Sequence, residues 1–568
     1  MEKNLLIMAD SRGQNLKKFI KAFIAAVLHP SLAPLHISVA WVLIFVIIFQ
    51  LLSPYQKNFV LGAVNIFTQS GWSGGVSGDG DANPTTATTT YSTATNITVG
   101  ENLMLGPDPS NLVFSARVDA TATATSTAAS PRVVINTSTG ELYLVYTSRE
   151  FSASVGNVAF RTSTDGGLTW GARRDLTLST IETSYPPSRP VLVFDSLNQF
   201  YVVYHSSEFS GASIYNVALR TSTDGGLTWG ARRDVTANTS STSADPTIIL
   251  DSFGNLYVTY ASDELVGGGG IWNIAFRTST DGGLTWGERR DVTASTTVTA
   301  LIPVIVRDSS GNLYVTYYSG EFASSTSINN IALRTSTDGG LTWGARRDVT
   351  ASTTADSRWP TLALDTSENL YVAYYSYEYF STVYNIALRT STDGGLTWGA
   401  RRDVTANSTL LSAALPSMAV DSLNNLYVSY YSTEYSNNTS FRNIALRTST
   451  DGGLTWGARN DLSTSTAVTN VTSRLALNPT NNKIVVVYTS QEYDSGTTNI
   501  AARTANYGQY TPTGTLVSVP FDSGNSVNTM SELSWNEDST LPSTSSVTLS
   551  LRTASTSAAL SSSPWTDF

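Results

Sequence analysis

A phrase close to RTSTDGGLTWGARRDVTA recurs six times along the chain, opening at Arg161, Arg220, Arg277, Arg334, Arg389 and Arg447. Each copy belongs to a unit of about 57 residues, and a period of this length is typical of stacked or radial repeats. Because a single unit cannot bury its own apolar residues, the units must pack on one another. The repeat therefore constrains the fold of most of the chain.

Four strands are predicted in each unit. In the unit that begins at Pro360 the strands are PTLALD, LYVAYYS, NIALRTS and LTWGARRDVT, separated by TSEN, YEYFSTVY and TDGG. Large and small side chains alternate in these runs, and the paired glycines suit a tight hairpin turn. Short connections of this kind predict a four-stranded antiparallel meander.

The inner run occurs seven times, from PRVVIN to SRLALN, although the DGG turn occurs only six times. Before the first unit, VFSARVDATATATSTAASPR closely parallels TWGARRDVTANTSSTSADP. We therefore expect residues 113–121 to supply the outer strand of the last sheet. The predicted fold is all-β, a seven-bladed β-propeller of four-stranded antiparallel blades over residues 111–507. A linear solenoid is the alternative, but it would not predict a split sheet.

The sequence outside the repeat predicts three further segments and a membrane anchor. Residues 32–53 are apolar and long enough to cross a bilayer as a transmembrane helix or signal anchor. The basic residues before them predict a cytoplasmic segment at 1–31 and a propeller outside the cytoplasm, at the cell surface or secreted if the leader is cleaved. We expect residues 54–110 to be a Gly/Ser/Thr-rich linker, and 508–568 to begin a β-sandwich-like module that is incomplete at residue 568.

The composition excludes several classes of function. With a net charge of -10 the chain offers no basic face for nucleic acid, so no nucleic-acid partner is expected. There is no cysteine and there are only three histidines, so thiol chemistry, a metal site and a Ser-His-Asp triad have almost no residues to use. We expect no cofactor and no metal.

The octapeptide STDGGLTW resembles the Asp-box, or BNR repeat, of the sialidase-like superfamily of β-propellers, with the pattern S-x-D-x-G-x-T-W complete in all six copies. The resemblance implies that the box is a structural turn on the face opposite the active site. The aspartates can accept NH groups of their own turn, and the tryptophans can fill the space between sheets. These residues are Asp165, Asp224, Asp281, Asp338, Asp393, Asp451, Trp170, Trp229, Trp286, Trp343, Trp398 and Trp456.

Candidate binding residues lie in the loops between second and third strands, which vary from unit to unit. Each loop begins with a glutamate, such as Glu264 or Glu378, which either clamps the loop or contributes to an acidic ring that attracts a cation or basic partner. Four aromatic residues break the symmetry and could stack on sugar rings, the alternative being packing under the loops. They are Tyr215, Trp272, Trp359 and Tyr384.

Resemblance to sialidases implies three arginines that bind a substrate carboxylate, a tyrosine paired with a glutamate, and an aspartate as acid/base. Arg132, Arg189 and Arg474 lie near the starts of inner strands in neighbouring units, but the family's F/Y-R-I-P motif is missing. Asp245 and Asp356 are the candidate acids. We expect a membrane-tethered propeller that binds a glycan, polymer or protein at the cell surface. The alternative is a sialidase-like exo-glycoside hydrolase.

Overall fold

The computed structural model describes residues 112–507, apart from 123–125, 152–154, 179–187, 210–213, 324–326, 381–382, 406–411, 436–440 and 480–481, together with six short strands outside this range. The described residues form seven four-stranded antiparallel sheets. Inner strands of neighbouring sheets pack against each other in a closed ring, including the first against the last. The predicted seven-bladed β-propeller is therefore confirmed.

Within each blade the strands follow one another outwards from the centre of the ring. The inner strands are Ala128–Ile135, Ser188–Phe194, Ser243–Leu250, Ala300–Arg307, Ser357–Leu364, Ala413–Val420 and Asn470–Asn478. The second strands are Leu142–Ser148, Phe200–Ser206, Leu256–Ser262, Leu313–Ser319, Leu370–Phe380, Leu426–Ser432 and Lys483–Asp494. The third strands are Asn157–Ser163, Asn216–Ser222, Asn273–Ser279, Asn330–Ser336, Val383–Ser391, Asn443–Ser449 and Thr497–Asn506. The outer strands are Arg174–Asp175, Arg233–Asp234, Arg290–Asp291, Arg347–Asp348, Arg402–Asp403, Asn460–Asp461 and, in blade 7, Val118–Asp119.

Blade 7 joins the two ends of the propeller. Val118 and Asp119 pair with Ala502 and Ala501 of the third strand, and the Ile500 N–H donates to the Thr121 hydroxyl over 2.8 Å. One strand from before the first repeat thus completes the sheet of the last repeat. An open superhelix would leave this edge of the last sheet unpaired. Because the outer strand of blade 7 comes from residues before the first repeat, no seventh DGG turn is needed to connect it to the third strand.

The apolar core lies between blades. Phe160 of blade 1 is completely buried, and Trp229 of the blade 2 Asp-box meets its ring edge to face at a centroid distance of 5.5 Å. Gly226, at φ 78°, lies so close to the same phenyl ring that a Cβ there would stand 2.9 Å from Cζ. Each Asp-box therefore seals the space between its own blade and the preceding one.

The Asp-box aspartates hold their own turns together. In blade 2 the Asp224 carboxylate accepts the Thr228 N–H over 2.9 Å and the Ser222 hydroxyl over 2.7 Å, while the Ser222 oxygen accepts the Gly226 N–H. The same pattern of donors recurs around Asp281 and Asp393. These carboxylates are occupied by local hydrogen bonds, as is usual in a structural turn.

Outside the propeller the structure describes three pairs of short strands, two of which include strands within the stretch expected to be linker. They are Tyr91–Thr95 with Thr515–Ser518, Ile97–Val99 with Leu103–Leu105, and Ser550–Leu551 with Thr566–Asp567. The predicted transmembrane helix at 32–53 lies outside the described residues, as does most of the predicted module at 508–568. In the part of the chain that the structure describes, no helix is long and apolar enough to cross a membrane.

Candidate functional site

The two faces of the propeller differ in sequence variation. Antiparallel blades place the Asp-box turns and the turns after the inner strands on one face, which we call the Asp-box face. The loops between second and third strands and the connections between blades lie on the other, which we call the loop face. Because each inner strand begins at the loop face, its first residues surround the mouth of the central channel there.

Every inner strand carries a bulge near this mouth, and one residue in each bulge has a left-handed backbone with φ between 50° and 54°. We call these residues the bulge ring. They are Ser130, Arg189, Asp245, Ile302, Trp359, Leu415 and Thr472. Six of the seven precede a proline, a position that normally favours extended backbone, and branched or bulky side chains rarely adopt positive φ. Backbone strain repeated at one mouth in all seven blades is typical of a functional site.

Side-chain identity at the bulge ring differs in every blade, whereas the flanking repeat hardly changes. Bulge-ring residues are partly exposed and the following proline, where present, is buried. The next residue along is again partly exposed in six blades, in accordance with strand alternation, and in blades 1 and 7 this residue is Arg132 and Arg474. The channel near the loop face is therefore lined by residues that break the symmetry of the ring.

Arg132, Arg189 and Arg474 meet at this mouth. Burial, assisted by the charge of Arg189, lowers the pKa of Arg132 to about 10. Burial also lowers the pKa of Arg474, with added repulsion from Arg132 and Arg189. Among the described residues neither Arg132 nor Arg474 has a carboxylate partner, and the Arg474 Nε is buried without an acceptor. The mouth therefore holds uncompensated positive charge.

Arg189 also connects three blades. Its Nη1 lies 2.6 Å from the Asp245 Oδ1 in blade 3, and its guanidinium carbon lies 5.0 Å from the centre of the Trp359 ring in blade 5. The Asp245 N–H donates to His205 Nδ1 over 3.1 Å. Burial, assisted by the charge of Arg189, lowers the pKa of His205 to about 3, so this imidazole is neutral near pH 7. Burial raises the pKa of Asp245, against the opposing charge of Arg189.

A second ion pair lies on blade 5 beside the first. The Arg358 Nε is 2.6 Å from the Asp356 Oδ2, and Asp356 also accepts the backbone N–H and side-chain amide of Asn329. The Arg358 guanidinium carbon lies 5.9 Å from the centre of the Tyr318 ring. Burial raises the pKa of Tyr318, and the charges of Arg358, Asp245, Arg189 and Asp356 all act on it. Tyr318 therefore contacts Arg358 and lies within the electrostatic reach of both ion pairs.

Aromatic rings cluster on blades 5 and 6 at the same face. Tyr384 stacks on Tyr377 at a centroid distance of 4.0 Å and meets Tyr375 edge to face at 4.6 Å. Trp359, Tyr384 and Tyr431 are partly buried and pack against the same core cluster. The structure thus places Trp359, which contacts Arg189, and the Tyr377–Tyr384 stack on the same core cluster at the loop face.

The other predicted aromatic residues lie apart from that cluster. Tyr215 meets His205 edge to face at 4.9 Å on blade 2, near the Arg189 pair. Trp272 packs against the core between blades 3 and 4, together with Leu301. It is partly buried there and no ring contact links it to the other aromatic residues among the described part of the chain.

Every loop glutamate lies within ion-pair distance of an arginine beside the outer strand. Glu264 is 3.5 Å from Arg289, and Glu378 is 3.5 Å from Arg401. The remaining pairs are Glu150 with Arg173, Glu208 with Arg232, Glu321 with Arg346, Glu434 with Arg459 and Glu492 with Arg117. The same arginine also pairs with the aspartate of the outer strand, as Arg289 does with Asp291. These contacts favour the loop clamp over a ring of free carboxylates.

Sequence reasoning missed His205, Tyr318, Arg358 and Tyr375, which lie next to the bulge ring. Three of them, His205, Tyr318 and Tyr375, occupy one register of the second strand, opposite the residue that precedes the bulge ring. Variation at that register, within an otherwise repeated strand, was the signal in the sequence that could have identified them.

Several solved structures are similar to this chain at low sequence identity. An ulvan lyase of polysaccharide lyase family PL25 is 10% identical, with a TM-score of 0.49 over 71% of this chain and 96% of that one. A protein of unknown function from Dyadobacter fermentans is 14% identical, with a TM-score of 0.42 over 70% and 99%. The leech intramolecular trans-sialidase is 17% identical, with a TM-score of 0.35 over 70% of each chain.

A search of curated protein sequences found no match. The family of BNR repeat-like domains, in contrast, matches residues 115–290 and 273–520. Together these ranges contain all six Asp-boxes and the complete propeller from the strand at Val118 onwards. The chain therefore belongs to the family of proteins with BNR repeat-like domains.

Proposed function

We propose that the loop-face mouth binds a carbohydrate that carries an acidic group. Arg132, Arg189 and Arg474 would hold the anion, and Trp359 with Tyr384 would stack on a sugar ring. The observation that carries the proposal is that Arg132 and Arg474, which repel each other and Arg189 at one mouth, have no carboxylate partner among the described residues, with Trp359 and Tyr384 on the same face. A buried charge is costly unless it is paired, so a bound anion would supply the missing partner.

The composition of the mouth suits a sugar better than an apolar ligand. Ion pairs and neutral polar groups from blades 2, 3 and 5 surround the arginines, and they can bind hydroxyl groups. Aromatic faces contact the apolar face of a sugar ring while the ring's hydroxyls reach polar side chains. The export predicted from the N-terminal sequence would place this mouth outside the cytoplasm, where surface glycans are available.

Equilibrium binding to the full-length chain tests this proposal. The probes are 3′-sialyllactose and a hyaluronan tetrasaccharide as acidic sugars, with lactose as the neutral one. We expect the acidic probes to bind more tightly than lactose. The Arg474→Met substitution should lower the affinity for the acidic probes at least about tenfold, since a charge-assisted hydrogen bond contributes about 1.5–3 kcal/mol.

The matched control is Arg307→Met, because Arg307 ends the inner strand of blade 4 at the Asp-box face, where no acidic sugar is expected to bind. Equal affinity for lactose and the acidic probes, or an unchanged affinity in the Arg474 variant, would refute the proposal. A rising salt concentration should weaken the binding of the acidic probes more than the binding of lactose.

Glycoside hydrolysis is the second candidate function. It is favoured by the raised pKa of Asp245, a condition that suits a general acid, and by the electrostatic influence of both Asp245 and Asp356 on Tyr318. Release of methylumbelliferone from a methylumbelliferyl sialoside tests it, with Asp245→Asn as the variant. Turnover that Asp245→Asn abolishes would support a hydrolase, whereas binding without any turnover would leave a lectin-like protein.

A further inference from the structure

The loop face carries a second set of aromatic residues, far from the channel. In six of the seven blades the residue after the loop glutamate is aromatic, and blade 3 has Leu265 in its place. We call these six residues the aromatic rim. They are Phe151, Phe209, Phe322, Tyr379, Tyr435 and Tyr493. Five of them are between 39% and 46% exposed, which is unusual for large aromatic side chains in a folded domain.

Rim rings are held in place by the ion pairs beneath them. The Arg232 guanidinium carbon lies 5.6 Å from the centre of the Phe209 ring, and the Arg401 carbon lies 5.6 Å from the Tyr379 ring. Arg232 is in turn fixed by Asp234 at 2.5 Å. The Arg346 guanidinium carbon likewise lies 5.8 Å from the centre of the Phe322 ring. These three rings are thereby fixed in position beside the outer strands of their own blades, and a fixed aromatic surface loses little entropy when a ligand stacks on it.

A polar groove adjoins the rim between blades 3 and 4. It has a volume of about 400 Å³ and is lined by Arg289, Arg290, Asp291, Glu321, Arg334 and Trp343, among others. Glu321 is the residue before the rim residue Phe322. The volume falls in the lower part of the range of small-ligand pockets, roughly 300–1,000 Å³. Five of its eleven lining residues are charged, and Ser295 and Thr342 add hydroxyl groups, so it suits a ligand with many hydroxyl groups better than an apolar side chain of a protein partner.

We propose that the aromatic rim, together with the groove between blades 3 and 4, binds successive segments of a sugar polymer, in addition to the mouth. The rim residue recurs in six of the seven blades, so the ligand that matches the rim is one that also repeats. Segments bound at several blades would share one chain, and this multivalency increases affinity without a strong individual contact. The inference rests on the proposed carbohydrate function and extends it from a single sugar to a polymer that crosses the loop face.

Binding of long and short chains distinguishes the rim from the mouth. Hyaluronan and polysialic acid serve as probes, each as a long polymer and as a tetrasaccharide, with the full-length protein. The rim variant carries Tyr379→Ala, Tyr435→Ala and Tyr493→Ala. We expect at least one polymer to bind the wild type at least about tenfold more tightly than its tetrasaccharide. The rim variant should lose most of this advantage while its tetrasaccharide affinity stays within twofold of wild type.

The control variant removes three exposed apolar side chains from the Asp-box face, Leu227→Ala, Leu284→Ala and Leu454→Ala. It should bind polymer as the wild type does, and circular dichroism should show both variants folded. If the rim variant keeps the full polymer affinity, or if polymers bind no more tightly than tetrasaccharides, the rim inference is overturned while the mouth proposal stands. If neither polymers nor tetrasaccharides bind, both are overturned.

Discussion

Arg189 of blade 2 lies over the indole ring of Trp359 of blade 5, with 5.0 Å between the guanidinium carbon and the ring centre. In a ring of seven blades these two are as far apart as blades can be. Their contact therefore crosses the mouth of the channel at the loop face. Arg189 is also ion-paired to Asp245, so one side chain links the charged and aromatic parts of the candidate site.

The Arg189 and Trp359 side chains should be energetically coupled. A double-mutant cycle with Arg189→Met and Trp359→Leu, measured by urea unfolding, should give a coupling free energy of about 0.5–1 kcal/mol, the usual size of a cation–π contact near the surface. The cycle is needed because Arg189→Met alone also leaves Asp245 without its partner. Additive free energies in the cycle would mean that the contact across the mouth is not formed in solution.

Replacing Arg132 should stabilise the free protein. Its guanidinium is buried, has a lowered pKa and is repelled by Arg189, so Arg132→Met removes a charge that costs folding free energy. We expect the free energy of unfolding to rise by roughly 1–3 kcal/mol. Sulfate should raise the Tm of the wild type, because it binds only the folded chain, and should raise the Tm of Arg132→Met less. A variant less stable than wild type would contradict this account.

Two adjacent glycines in one Asp-box should tolerate alanine very differently. Gly225 and Gly226 have φ of 73° and 78°, so alanine is strained at both positions. A Cβ at Gly225 meets nothing within 4 Å, but a Cβ at Gly226 would overlap the buried Phe160 ring of the preceding blade. Gly226→Ala should therefore lower the free energy of unfolding by about 1–3 kcal/mol more than Gly225→Ala. If thermal unfolding shows that both variants lose the same free energy of unfolding, the turn does not contact the neighbouring blade.

The Asp-box aspartates should give the fold an acid-sensitive stability. Hydrogen bonds from the threonine side chain and N–H and from the serine lower the pKa of Asp281 and Asp393 from 3.8 to about 2. A lowered folded-state pKa contributes stability above pH 4, and this contribution is lost as the pH falls from about 4 to 2. Calorimetry should show the Tm falling over this interval, and less steeply in a variant with both aspartates changed to asparagine.

The matched control for that experiment is Glu288→Gln, since Glu288 is exposed in the same blade as Asp281. It should reproduce the wild-type dependence of Tm on pH. The difference in Tm between the wild type and the double variant reports on the Asp-box aspartates alone. Burial raises the pKa of outer-strand aspartates such as Asp234, so their contribution to stability changes with pH in the opposite direction. A difference in Tm that does not change between pH 4 and 2 would refute the proposed role of these hydrogen bonds.

The architecture of the propeller could be derived from the sequence because its determinants lie within each repeat. Alternation in LYVAYYS and NIALRTS predicts the strands, and the glycines of TDGG predict the hairpin turn. The likeness of residues 113–121 to an outer strand predicts the pairing that the structure shows between Val118–Asp119 and Thr497–Asn506. Strand pairing and turn formation depend on residues close in sequence, so the pattern of one unit was sufficient for seven.

The candidate site depended on the tertiary structure. The sequence suggested Arg132, Arg189 and Arg474 as a group, but their different registers concealed that a bulge brings Arg189 to the same mouth. It also left the loop glutamates open between a loop clamp and an acidic ring, and only the structure pairs each of them with an arginine beside the outer strand. Contact between Arg189 and Trp359 requires a closed ring and a left-handed backbone at both residues. Neither property is encoded locally, so only the folded ring decides which side chains meet.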